Sequence, residues 1–123
     1  MENIKKLIII VDDNPANLRI GKNVLSEKYT VATAPSAAKL FKLLDNNHPD
    51  LILLDVDMPV TDGYSAIETL KSRQNTKDIP VVFLTGMTDP VNEEKGRTLG
   101  AADYITKPFD PSALFSCIEK YIL

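Results

Sequence analysis

Five short apolar runs, at residues 7–11, 29–33, 51–54, 81–84 and 102–105, alternate with segments of helical pattern, and this alternation limits what the chain can fold into. Each run is too short for an ordinary helix. Three of them are rich in Val, Ile and Leu without a polar face, as strands buried on both sides of a parallel sheet are. Residues 29–33 alternate more clearly, which suits an edge strand. The intervening segments carry helix-start signals. Asn14–Pro15, Asp89–Pro90 and Asp110–Pro111 each set an Asx side chain directly before a proline. The side-chain oxygen accepts an orphan backbone N–H, and proline gives up nothing in a first turn whose N–H groups have no helical partner. Ser36 opens a fourth helix with Ala37, Leu40, Phe41 and Leu44 on one face; Gly63 precedes a fifth with Ile67 and Leu70 inward. The last helix has the stripe Leu114, Ile118, Tyr121 and Ile122, and Gly100, after Leu99, suits a helix C-cap. Strand–helix alternation predicts an α/β fold: a doubly wound, five-stranded parallel sheet with helices on both faces and right-handed crossovers.

The remaining bulk features are consistent with one domain over residues 1–123. At 44% hydrophobic residues the chain has enough apolar surface for a core, and a fold of this size buries roughly two thirds of the surface it exposes when unfolded. There is one cysteine, Cys117, so no internal disulfide forms and a reducing compartment is expected. Lys5 and Lys6 precede the first apolar run, but that run stops at Asp12 and Asp13, too early for a signal peptide. No stretch approaches the roughly 20 apolar residues of a membrane span, so a cytoplasmic location without a membrane partner is expected. The net charge is −3, with both signs interspersed and no basic stripe, which argues against direct nucleic-acid binding. His48, before Pro49, reads as a solvated loop residue, and Cys117 as packing rather than redox chemistry.

In sheets of this kind, ligands bind beyond the carboxyl ends of the strands. Asp12 and Asp13 close the first strand, Asp55 the third and Thr85 the fourth, while Lys107 follows the fifth. Three crowded carboxylates repel one another, and one ammonium offsets only part of that cost. A hard divalent cation does the rest, and Mg²⁺ characteristically takes a few carboxylates while keeping waters that phosphate oxygens can replace. The competing reading makes these acids helix caps and first-turn residues; it accounts for Asp13 but not for Asp12, Asp13 and Asp55 together. A carboxylate is a competent nucleophile toward phosphorus, and phosphoryl transfer needs mainly positioning and charge neutralisation, which Mg²⁺, Lys107 and the Thr85 hydroxyl supply. Asp55 is the best nucleophile because it extends a rigid apolar strand. Asp12 and Asp13 open a turn and suit metal ligation.

The runs Val11-Asp12-Asp13-Asn14, Leu54-Asp55-Val56-Asp57-Met58-Pro59, Asp62-Gly63, Leu84-Thr85-Gly86 and Lys107-Pro108-Phe109 resemble the receiver domains of bacterial response regulators, in order and spacing, across essentially the whole chain. The resemblance implies a flavodoxin-like fold with strand order 2-1-3-4-5. It makes Asp55 the phosphoacceptor, with Asp12, Asp13 and the backbone carbonyl of Asp57 around Mg²⁺. Thr85 and Lys107 bind phosphoryl oxygens, Tyr104 is the switch aromatic, and a cis peptide precedes Pro108. The phosphoryl donor is a phosphohistidine on a sensor histidine kinase or phosphotransfer protein, and the response is passed to an effector domain or target protein. The last two helices are a candidate face for a homodimer. Three positions depart from the common pattern: Asp57 adds a carboxylate beside the acyl phosphate, Met87 borders the path of hydrolytic water together with it, and Thr61 stands where an apolar residue is common, with no clear consequence. Gly86 leaves room for a side chain moving toward Thr85. Without the resemblance, Tyr104 reads only as an aromatic at a strand end. The helix over residues 90–99 offers just Val91 and Leu99 as large apolar anchors, so it is expected to shift at small cost.

Two other functions share parts of this pattern. A small phosphatase of the haloacid dehalogenase type also uses Asp-x-Asp after an apolar strand, here Asp55-Val56-Asp57, followed by a Thr and a Lys. That family expects further acids after the Lys, whereas here the Asp-Asp pair comes before the nucleophile. A flavin-binding protein of the same architecture needs a Ser/Thr-rich phosphate loop after the first strand, where two carboxylates repel phosphate. A binding module that no longer phosphorylates is a third reading, against which the complete acid–Thr–Lys set argues.

Overall fold

Alternate residues of a strand point to opposite faces, and in this chain that alternation builds two cores, one on each side of a sheet. The computed structural model describes residues 5–56, 63–85, 90–106 and 110–122. The elements run β1 (Leu7–Val11), α1 (Pro15–Leu25), β2 (Thr30–Ala34), α2 (Ala37–Leu44), β3 (Leu51–Asp55), α3 (Gly63–Ser72), β4 (Val81–Thr85), α4 (Pro90–Leu99), β5 (Asp103–Thr106) and α5 (Pro111–Tyr121). All pairings are parallel, in the order β2-β1-β3-β4-β5. The expected doubly wound sheet and its 2-1-3-4-5 order are both present.

On one face, Ile9, Val11, Ile52, Leu54, Val81 and Phe83 pack with Ala37, Leu40 and Leu44 of α2 and Ala66, Ile67 and Leu70 of α3. On the other, Ile8, Ile10, Leu51, Leu53, Val82, Leu84 and Ile105 pack with Leu18 and Leu25 of α1 and Leu114, Cys117 and Ile118 of α5. Every residue of β3 and β4 is buried, as the continuous apolar runs require. The edge strand β2 is only partly covered.

Most caps follow the sequence signals. The Asn14 side chain accepts the N–H of Ala16 at 2.9 Å, and the Ser36 hydroxyl accepts that of Lys39 at 3.1 Å. Asp110 occupies the N-cap of α5 but makes no side-chain capping bond, so the proline at the next position carries that signal alone. The Asp89 cap lies outside the described residues. Gly100 ends α4 at φ +114°, a conformation that L side chains rarely adopt. Several element edges differ by one residue from the sequence reading: β3 and β4 extend to Asp55 and Thr85, and β2, β5 and α5 shift as well. The Tyr29 N–H bonds the Leu25 carbonyl at 2.9 Å, which keeps it in the turn after α1, and strand pairing starts at Thr30. Strand β5 runs from Asp103 to Thr106, one residue later than its apolar run. Helix α5 stops at Tyr121, and the buried Ile122 continues in extended conformation.

Candidate functional site

The carboxyl ends of the strands carry the chemistry because parallel pairing brings them to one edge in register. Val11 pairs with Leu54, Asp55 with Leu84, and Thr85 with Thr106. Asp12 therefore emerges beside the end of β3, while Asp55 and Thr85 are the last residues of adjacent strands. The Asp12 N–H still bonds the Ala34 carbonyl (3.1 Å) and the Val56 N–H the Leu84 carbonyl (3.2 Å), so the ladder holds the backbone on both sides of the site.

Asp12, Asp13 and Asp55 each offer a carboxylate oxygen, and these oxygens all lie within 4.8 Å of one another. Asp12 is 0% and Asp55 1% exposed, whereas Asp13 is exposed. Thr85 is also buried. The orientation of Asp12 is fixed from the turn and from α1: its Oδ1 accepts the Asn14 N–H at 2.9 Å and its Oδ2 the Asn17 side-chain amide at 3.1 Å. Because Asn14 is the N-cap of α1, capping does not explain Asp13, and the competing reading of these acids loses its best case.

Two buried carboxylates and one exposed one, at this separation, fit a hard divalent cation. Oxygens around Mg²⁺ stand about 2 Å from the ion, so two on one ion lie at most about 4 Å apart, close to the 4.8 Å within which these oxygens lie. Asp57, Gly86, Met87, Lys107 and Pro108 lie outside the described residues; Lys107 follows directly after Thr106, the partner of Thr85.

Tyr104 lies partly buried on β5, its ring edge-to-face with Phe83 at 5.5 Å, and Phe83 meets Tyr64 of α3 in the same way at 5.6 Å. Beside it, Asp103 ties three elements together. It accepts the Tyr104 N–H (2.9 Å), the Tyr121 hydroxyl (3.0 Å) and the Cys117 thiol (3.6 Å), and it lies 3.8 Å from the Lys120 ammonium and 4.0 Å from Arg97. Burial pushes the Asp103 carboxyl up, but these hydrogen bonds and the Lys120 charge outweigh it and hold the carboxyl below its usual range. Burial, the Asp103 charge and the bond to Asp103 push the Cys117 thiol up to about 11, which fits packing and not redox chemistry.

The sequence pointed to the carboxylates but not to Asn17, whose amide orients Asp12 from one turn into α1. Nor did it point to the Tyr64–Phe83–Tyr104 series, which joins three elements. A second Asn three residues after the Asn14 cap was the one available signal for Asn17.

The chain is similar to known proteins along its whole length. Residues 8–119 match the family described as the response regulator receiver domain. A probable cyclic di-GMP phosphodiesterase of Vibrio cholerae is 37% identical over 123 residues, covering 99% of this chain but 28% of that protein. The chemotaxis protein CheY4 of Vibrio cholerae superposes with a TM-score of 0.92 at 25% identity, covering 96% of this chain and 99% of that one. The receiver domain of the sensor histidine kinase PA1611 from Pseudomonas aeruginosa, solved with a magnesium ion in its active-site cleft, superposes with a TM-score of 0.87 at 28% identity, covering 96% of this chain and 98% of that one. The chain spans between a quarter and a half of the length of curated relatives it matches: 28% of that phosphodiesterase, 50% of the probable transcriptional regulator ycf27 of Cyanophora paradoxa and 25% of the response regulator PleD of Caulobacter vibrioides. With its strand order, its acidic cluster and the family match over residues 8–119, the chain belongs to the response regulator receiver domain family of two-component signalling.

Proposed function

We propose that residues 1–123 act as one receiver unit in which Asp55 accepts a phosphoryl group. The observation that carries this reading is the clustering of Asp12, Asp13 and Asp55 at the strand ends with buried Thr85 beside them. Asp12, Asp13, Asp55 and the backbone carbonyl of Asp57 would hold Mg²⁺, which when bound would neutralise charge on the phosphoryl oxygens. A carboxylate oxygen of Asp55 forms a bond to phosphorus as the donor's P–N bond breaks, and the donor imidazole departs. Asn14 and Asn17 keep Asp12 turned toward the site throughout. The Thr85 hydroxyl donates to one phosphoryl oxygen and the Lys107 ammonium pairs with another, so the transferring group meets positive charge and donors already in place.

Phosphorylation then draws Thr85 toward Asp55, and Tyr104 turns into the space that Thr85 leaves. Gly86 leaves room for that movement, and Met87 and Asp57 set how readily water reaches the acyl phosphate, while Pro108 flanks Lys107 in the sequence. Helix α4 answers because its sequence carries only Val91 and Leu99 as large apolar anchors. The donor is a sensor histidine kinase or phosphotransfer protein, and the response passes to an effector domain or target protein without direct nucleic-acid contact. A groove of ≈ 520 Å³ between β5 and α5, walled by Tyr104, Thr106, Asp110 and Lys120, supports an output surface on this side, and the last two helices are the face proposed for a homodimer. No described helix is long and apolar enough to cross a membrane, in keeping with a cytoplasmic site of action.

On this reading the chain is a phosphoacceptor and not a phosphatase. The test is phosphate release from p-nitrophenyl phosphate in Mg²⁺. A receiver gives no sustained turnover; steady release over many equivalents overturns the assignment.

A further inference from the structure

We infer that Gly96 is a positioning residue for Tyr104: the side chain it lacks is the space in which the Tyr104 hydroxyl rests, so the aromatic's position is governed from helix α4. This rests on the reading of Tyr104 as the moving aromatic.

Gly96 is buried in the interior of α4, facing the sheet. A Cβ built at Gly96 collides with the Tyr104 hydroxyl and comes to 2.9 Å from Tyr104 Cζ and 2.7 Å from Phe83 Cε2. Real Cβ atoms essentially never approach other atoms under 3.0 Å. Glycine is otherwise a poor choice inside a helix, where it is less favourable than alanine. At this position the penalty has a local reason, because only hydrogen fits between the helix backbone and the phenol.

The surroundings decide which group yields if the space is filled. Phe83 is 0% exposed, at the middle of the α2–α3 face, with the Tyr64 ring against its other side. It has nowhere to retreat. Tyr104 sits on the edge strand β5 and is only partly buried, with the exposed Arg97 guanidinium 5.9 Å from its ring centre. A methyl group at position 96 therefore displaces Tyr104 outward, or lifts α4 away from the sheet, before it moves Phe83. Conversely, in the position it holds here, Tyr104 fixes how closely α4 approaches β4 and β5. Gly96 is thus where a rotation of one aromatic on β5 becomes a displacement of α4.

The experiment uses the full chain labelled with 3-fluorotyrosine, in Mg²⁺, with and without acetyl phosphate. The ¹⁹F line of Tyr104 is assigned by its loss in Tyr104→Phe, and a soluble nitroxide reports its exposure. Gly96→Ala should make the Tyr104 line strongly broadened by nitroxide in both conditions, while Asp55 is phosphorylated at the wild-type rate. A Tyr104 line as shielded in Gly96→Ala as in the wild type overturns the proposal. Urea unfolding supplies a second readout, because helix propensity alone predicts that alanine stabilises α4. Gly96→Ala should instead lower the unfolding midpoint, and lower it less in the Tyr104→Phe background, where the nearest colliding atom is gone. Equal effects in the two backgrounds overturn the proposal. Should Gly96→Ala alone fail to fold, Gly96→Ala with Tyr104→Leu must fold, and failure of both also overturns it. If phosphorylation leaves the wild-type Tyr104 line unmoved while Gly96→Ala exposes it, the switch reading of Tyr104 falls and the role of Gly96 in placing the ring stands.

Discussion

Replacing Asp55 by Asn should stabilise the metal-free protein while removing most of its response to Mg²⁺. Asp12 and Asp55 are both buried and offer oxygens within 4.8 Å. At an effective dielectric of about 20, two unit charges at that separation repel by about 3.5 kcal/mol. Asn keeps the shape and one acceptor oxygen of Asp55 but not its charge. Relaxation and nearby positive charge reduce the gain, so Asp55→Asn is expected to raise stability in EDTA by about 1–2 kcal/mol, a rise in Tm of about 4–8 °C for a chain of this length. Mg²⁺ has the opposite preference. At 100 times its dissociation constant it adds about 2.7 kcal/mol to a protein that binds it only when folded, and Asp55→Asn removes one of its ligands. The assay is urea unfolding at neutral pH, in EDTA and across a Mg²⁺ titration, for both proteins. The variant should lead in EDTA and the wild type should gain as Mg²⁺ rises. A variant that is less stable in EDTA, together with equal Mg²⁺ shifts for the two proteins, would refute the idea that the acids are held together at an electrostatic cost.

Asn17→Ala should weaken Mg²⁺ binding by about 10- to 100-fold, as loss of a group orienting a ligand does, and isothermal titration would detect an unchanged affinity that contradicts it. Asn14→Ala should cost about 1 kcal/mol in urea unfolding through loss of the α1 cap; no loss would show that the bond to Ala16 contributes little. Because the Asp103 carboxyl is held below its unfolded value, its stabilising contribution is complete above about pH 4 and is lost as pH falls through the lower folded value. Asp103→Asn should therefore lower stability at neutral pH and flatten the decline on the acid side, and an unchanged acid slope sinks that reading. With its thiol pushed up to about 11 by burial and by Asp103, Cys117 should react slowly with a disulfide reagent at neutral pH and faster in Asp103→Asn; prompt reaction in the native wild type would contradict this.

The parallel sheet was legible because burial on both faces leaves a direct trace: β3 and β4 tolerate no polar residue before Asp55 and Thr85, so each run ends at a residue with chemistry. The two cores follow from the same period of two, with Ile8 and Ile10 on one side and Ile9 and Val11 on the other. Element edges were less legible where helix and strand bonding compete. Tyr29 has a strand-like side chain, yet its N–H completes the last turn after α1. Asp110 carries the cap signal, yet its side chain makes no capping bond. Within the site, Asp12, Asp13 and Asp55 were readable because strand ends converge by topology, and their mutual distance then follows from register. Asn17, Gly96 and the hub at Asp103 were not readable. Their roles depend on how a helix face meets a strand some distance away in the chain, and a glycine or an asparagine in a helix leaves no periodic signal of what it touches.

The central claim is most directly tested by intact mass of the protein after incubation with acetyl phosphate, with Mg²⁺ or EDTA, in wild type and Asp55→Asn. One phosphoryl adduct that appears only with Mg²⁺ and only when Asp55 is present is the predicted result. An adduct that survives Asp55→Asn or forms equally in EDTA, or no adduct under conditions that phosphorylate another receiver domain, would contradict it.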